Sequence, residues 1–224
     1  SVERDVAWER IRPELARAQP ELLDTLRGAA LIESFHPINL ARLLRLCWDD
    51  VDAGVVFSLE MYEGFKHFHA LRAYLEAVGH EPAITDRELV EIRRGAHDQD
   101  PDPTELIPRL VEFMLSEHLA GYFFRRLSEQ AEEPVLKELL AAIAADEVRH
   151  AQSASDLIEK RITADPALIP QVLDAAVHFR HYGTEAVGEV PVAMEGDAVA
   201  IRTFARRIER LCGVRLVDHL KQSL

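Results

Sequence analysis

Apolar residues in this chain recur at alternating spacings of three and four, and almost nowhere at a spacing of two. The pattern predicts helices and essentially no sheet. From Glu21 to Cys47 it is interrupted only by Pro37, which predicts one bent helix or two abutting ones, because an interior proline removes a backbone hydrogen bond. Asp49-Asp50 places acids at the start of a second long run that ends near Gly79. A crossover spans His80 to Pro103, with a short helix over Asp86–Arg94. Thr104 is placed to cap a third helix reaching about Ala131, and a fourth opens near Pro134 and reaches about Arg161. Two more helices, about Pro166–His181 and Gly196–Leu211, are joined by Gly183–Glu195. The expectation is one all-α domain over residues 1–224, with a four-helix bundle at about 21–162 and a C-terminal helical extension at about 165–224.

The seams of these helices carry acids. The first stripe reads Leu26, Ala30, Glu33, Pro37, Leu40, Leu44, and the second Val56, Glu60, Glu63, His67, Ala70, Tyr74. The third reads Leu106, Leu110, Phe113, Glu117, Ala120, Phe124, Leu127, and the fourth Leu136, Leu140, Ile143, Glu147, His150, Ala154, Leu157. Each helix therefore has a glutamate at mid-length where a hydrophobic residue belongs. Burying an unpaired carboxylate is costly, and five glutamates with two histidines and no inward Lys or Arg do not balance one another. Divalent cations do. Carboxylates and imidazoles suit iron or manganese, and the lack of thiolates disfavours a structural zinc site. Glu147 and His150, three apart, share one helix face, which is the di-metal carboxylate spacing of ferritin-like bundles with one long crossover.

The candidate metal ligands are thus Glu33, His67, Glu117, Glu147 and His150, with Glu63 and Glu60 both open as the second-helix carboxylate. His69, His118 and His178 lie off the stripes or outside the bundle and read as surface or outer histidines. Tyr62, Phe65, Phe113, Tyr122 and Phe124 either line an apolar channel or simply pack.

Charge narrows the partners. The 39 acidic and 26 basic residues give a net charge of −13, the wrong sign for a general nucleic-acid binder. No apolar run is long enough to span a membrane. Cys47 and Cys212 form no CxxC or zinc pattern, so reduced thiols and a cytoplasmic location are expected. Arg202, Arg206, Arg207 and Arg210 form either a local basic patch or a solvated face.

Ala144-Ala-Asp-Glu-Val-Arg-His150 closely resembles the fourth-helix iron motif of the soluble acyl-carrier-protein desaturases. Glu33-Ser-Phe-His-Pro37, Glu63-Gly-Phe-Lys-His67 and Ser116-Glu117-His118 are similar to the family's other three metal-binding segments. The stretches Ser155–Ala167 and Val190–Asp197 also resemble the family's later chain, so the likeness covers about residues 25–215. Two departures stand out. The family's second-helix glutamate, three residues before its histidine, is here Gly64, so the resemblance favours Glu63, four before His67, with Glu60 as the alternative; its frequent third-helix threonine is Ala120.

The resemblance implies two iron ions, with manganese an alternative in one site, and oxygen-dependent oxidation of a small or carrier-bound organic substrate in a homodimer. No Gly-rich nucleotide loop is present, so electrons come from a partner such as a ferredoxin. The competing expectations are a ferritin-like iron-binding ferroxidase and a metal-free scaffold.

Overall fold

The computed structural model describes residues 6–95, 103–179, 181 and 198–223. The linker Gly183–Glu195 and the segment Val190–Asp197 lie outside the described residues. Among the described residues the chain is all-helical, with no strand. The elements are α1 Pro13–Arg17, α2 Pro20–Glu33, α3 His36–Leu46, α4 Val51–Ala77, α5 Asp86–Gly95, α6 Leu106–Gln130 and α7 Pro134–Ala164. They continue with α8 Ile169–Val177, α9 Ala198–Cys212 and α10 Leu216–Ser223. No helix among them is long and apolar enough to cross a membrane.

The Pro37 interruption resolves into two abutting helices. α2 stops at Glu33, Ser34 and Phe35 form the joint, and α3 restarts with Pro37 in its first turn, where a missing N–H costs nothing. Asp50 caps α4 by accepting from Ala53 N at 3.2 Å. Gly79 (φ 67°) ends it, with His80 N donating to Leu75 O at 2.9 Å. The third long helix begins at Leu106 rather than at a Thr104 cap, because Thr104 lies inside a 3-10 turn over Pro103–Glu105. α10 is a separate helix beyond Leu211, split from α9 at Gly213 (φ 66°).

Two ends of the molecule fix helix directions. Arg161 near the end of α7 pairs with Asp50 at the start of α4, at 2.9 Å. At the opposite end, Tyr74 donates to Glu133, which also accepts from Leu136 N at 2.7 Å and Arg12 N at 3.2 Å. α4 and α7 are therefore antiparallel. Glu133 is fully buried yet satisfied, so it serves as both helix cap and tie.

The apolar interior is in two clusters. One gathers Leu26, Leu71, Tyr74, Phe124, Leu136 and Leu140, and the other Leu40, Phe57, Leu110, Phe113, Leu157 and Ile158. α4, α6 and α7 run through both. What lies between them on those helices is polar.

Candidate metal centre

The layer between the clusters is built from buried ionisable side chains. Glu33 and His36 flank the α2–α3 joint, Glu60 and His67 come from α4, Glu117 from α6, and Glu147 and His150 from α7. All seven are 1–7% exposed. Each stands at helical spacing from apolar neighbours that bury it, such as Ile143 and Ala151 around Glu147.

These side chains converge in two groups. Glu33, His67 and Glu147 form one triad, and His36, Glu117 and His150 the other. Within each, one ligand atom per residue lies within 4.8 Å of the others. Glu147 reaches both triads: Oε1 lies 2.9 Å from His67 Nδ1, and Oε2 lies 2.9 Å from His150 Nδ1. Glu117 Oε2 lies 3.2 Å from the same His150 nitrogen, and Glu117 Oε1 lies 4.0 Å from His36 Nδ1.

Several of these atoms have nothing to bond. Glu33 Oε2, His36 Nε2, His67 Nδ1 and Glu147 Oε1 are buried without a hydrogen-bond partner. His67 Nδ1 and Glu147 Oε1 are close, but their mutual angle is not that of a hydrogen bond. Buried polar atoms left this way are costly and call for a partner such as an ion. The donor set is three carboxylates and three imidazoles with no thiolate, which fits a pair of iron or manganese ions. Two buried His/Glu clusters able to hold metal ions are thus in place.

An outer ring orients the histidines. His67 Nε2 lies 3.0 Å from Asp146, and His150 Nε2 lies 2.9 Å from Glu63. Arg149 joins the two carboxylates, donating to Asp146 at 2.7 Å and to both Glu63 oxygens at 3.1 Å. The ring thereby points both Nδ1 atoms inward.

Charge follows from this arrangement. Burial opposes a charge on His67, but the Glu147 and Asp146 carboxylates overcome it and push His67 up to about 10. Burial likewise opposes charge on His150, which Glu117 and Glu147 push up to about 12. Burial and the Glu147 charge raise Glu33 to about 8 and Glu117 well above the usual range. Glu147 resists burial through His67 and its hydrogen-bonding neighbours and stays far below that range. Burial holds His36 neutral, down to about 3, and pushes Glu60 up to about 8.

Of the sequence-derived ligands, Glu33, His67, Glu117, Glu147 and His150 meet in the triads. Glu63 does not. It is partly exposed and sits outside them, against His150 and Arg149. Glu60 is buried beside the centre, next to Ser153, with neither carboxylate oxygen hydrogen-bonded. Tyr62 and Phe65 face outward at 63% and 39% exposure, so they line no interior channel, whereas Phe113 and Phe124 are core.

His36 was not anticipated, although Glu33-x-x-His36 repeats the spacing of Glu147-x-x-His150. Its ring lies over Gly64, where a Cβ would come within 2.9 Å of His36 Nε2 and closer still to the ring carbons. Asp146, Arg149 and the burial of His118 also had no signal beyond adjacency to a ligand.

No family model matches the chain, and no curated protein matches it. The chemistry of the centre rests on its own residues.

Proposed function

We propose that the protein is a ferritin-like bundle housing a di-iron, oxygen-dependent oxidoreductase centre of the desaturase, hydroxylase or N-oxygenase type. The observation that carries this reading is Glu147, one buried carboxylate with an oxygen at each of two triads. Glu33 and His67 would hold one ion, His36, Glu117 and His150 the other, and Glu147 both. Glu60 and Glu63 supply further carboxylates beside the pair. When bound, two irons supply two-electron activation of dioxygen, with reducing equivalents from an external donor such as a ferredoxin. Manganese in one position is the alternative.

The chain's own residues do the rest. Asp146 and Glu63 fix the imidazole tautomers, Arg149 holds both, and the apolar clusters above and below keep water out. The organic substrate is small or carrier-bound.

A homodimer is supported by the outer face of α4. Trp48, Val51, Val55, Leu59 and Tyr62 recur every three or four residues and are 57–88% exposed. An apolar row of this length suits a self-complementary interface between two copies of the chain.

Anaerobic titration with ferrous iron tests the proposal. About two irons per chain are expected, followed by an oxygen-induced visible band that Glu147→Ala and His150→Ala abolish. A folded protein that takes up no iron would overturn it.

A further inference from the structure

Six of the seven buried side chains in the polar layer meet in the two triads, and Glu60 does not. It is 3% exposed, and neither of its carboxylate oxygens has a hydrogen-bond partner. Its neighbour Ser153 offers no donor, because that hydroxyl donates to Arg149 O at 3.1 Å. A buried carboxyl group with both oxygens unmatched is costly and calls for a partner that is itself closed off from solvent.

The antiparallel packing of α4 and α7 puts Glu60 beside one triad rather than the other. His67 stands against Asp146 and Glu147, Glu63 against Arg149 and His150, and Glu60 against Ser153. The path from His67 to Glu60 along α4 thus runs from the Glu33–His67–Glu147 triad past the His36–Glu117–His150 triad. Glu60 also stands four residues before Gly64 on one buried stripe of α4, and the His36 ring lies over Gly64. The charges that act most on its carboxylate are His150 and then Glu147.

Glu63 is not free to serve there. Arg149 holds both of its oxygens at 3.1 Å, and Oε2 lies 2.9 Å from His150 Nε2, the ring nitrogen that faces away from the triad. No hydrogen bond has to break for the Glu60 carboxylate to turn inward. Charge argues the same way. Inside the closed layer Glu33, Glu117 and Glu147 set three carboxylates against two divalent ions, and an ionised Glu60 adds the fourth. Asp146 and Glu63 stand at the partly exposed rim, where Arg149 and solvent meet their charge.

We propose that Glu60 is the carboxylate that α4 supplies to the ion at His36, Glu117 and His150, which Gly64 cannot supply. The other ion keeps Glu33 and His67, and Glu147 is shared. This assignment rests on the two-ion reading of the centre.

Anaerobic titration of the full chain with ferrous iron against a competing chelator tests it. Glu60→Gln keeps the size of the side chain and removes its charge. It should weaken one ion by at least the roughly 10–100-fold that loss of an outer partner costs, and leave the other close to wild type. In Glu60→Ala the space left by the side chain admits a small carboxylate, so added formate should restore that ion. Formate should not restore it in Glu60→Gln, whose amide still fills the space. Without metal, Glu60→Gln should melt no lower than wild type, since no bonded group is lost. Glu60→Gln binding both ions with wild-type affinity would overturn the proposal. So would equal weakening of both ions, a weakened Glu60→Ala that formate leaves unchanged, or a lower metal-free melting temperature for Glu60→Gln. A wild-type chain that binds no iron would instead remove the two-ion reading beneath the assignment.

Discussion

Asp146 accepts the Nε2 proton of His67 at 3.0 Å, and this leaves Nδ1 turned toward Glu33 and Glu147. The same relation is repeated by Glu63 and His150 at 2.9 Å, with Arg149 between the two carboxylates. Partners of this kind fix which nitrogen is free to bind and raise its basicity. Asp146→Ala should weaken one metal ion by roughly 10–100-fold and leave the other close to wild type. Competition against a chelator, read separately for the two ions, checks this. Equal weakening of both would place Asp146 in a general structural role.

The imidazole of His36 occupies the space that a side chain at position 64 would fill. Helix α4 thus lacks the glutamate expected three residues before His67, and a ring from α3 takes its place. Gly64→Ala should displace His36 and cost one bound ion per chain, with circular dichroism unchanged. Gly64→Glu alone should fare no better, since the ring still blocks it. Combining Gly64→Glu with His36→Gly should bring the second ion back. A single Gly64→Glu variant with full occupancy would remove His36 from the ligand set.

The helices and the acids in their seams were legible in the sequence because both depend on local periodicity. Pro134, Gly79 and Asp50 mark ends that the structure places within a residue or two. Glu33, His67, Glu117, Glu147 and His150 fell on stripes and meet in space. His36 did not, because the joint at Ser34–Phe35 resets the helical register, and the stripe carried through it pointed to Pro37 instead. Spacing along the helix favours Glu63, four residues before His67, over Glu60, seven before it. The packed structure separates them by depth, Glu60 inside and Glu63 at the edge with Arg149. Asp146 and Arg149 belong to contacts between α4 and α7 that no pattern within one helix records.

In the metal-free protein, the layer is held together by protons. Glu33 at about 8, Glu117 well above its usual range, His67 at about 10 and His150 at about 12 all carry one near neutrality. Coordination needs carboxylates and neutral imidazoles, so metal uptake near pH 7 should release about four protons from these ligands, and about five where Glu60, also raised to about 8, ionises beside the pair. Unbuffered titration with a pH electrode reads that number, and affinity should rise steeply with pH. Stability of the metal-free fold should move the other way. Raised values mean that stabilisation is complete below the unfolded value and fades as pH climbs toward the folded one. For Glu33 that window runs from 4.5 to about 8, and for the two histidines it opens at 6.5. His36, lowered to about 3, and His118, lowered to about 4, work in the opposite direction within this window, but Glu60, raised to about 8, adds to Glu33, Glu117 and the two raised histidines, so thermal melts between about pH 5 and pH 8 should show a net decline.

The row on α4 makes its own forecast. Val55→Lys together with Leu59→Lys, both exposed at 66% and 57%, should convert a dimer to a monomer without lowering the melting temperature of the chain itself. Light scattering measures the mass. A wild-type chain that already scatters as a monomer would leave the row to another partner.

The two apolar clusters and the polar layer between them bear on cooperativity. Most small domains unfold as one unit because a single continuous core couples every element. Here the upper and lower halves share three long helices, but at mid-height they are coupled through ionisable groups. One triad draws on α2, α4 and α7, the other on α3, α6 and α7, so filling both would clasp the elbow at Ser34–Phe35 to three neighbours at once. Without metal the elbow would be tied to those neighbours only through the protonated layer, while both cores remain intact. Metal loading would then decide whether the molecule unfolds as one unit or as two lobes strung on common helices.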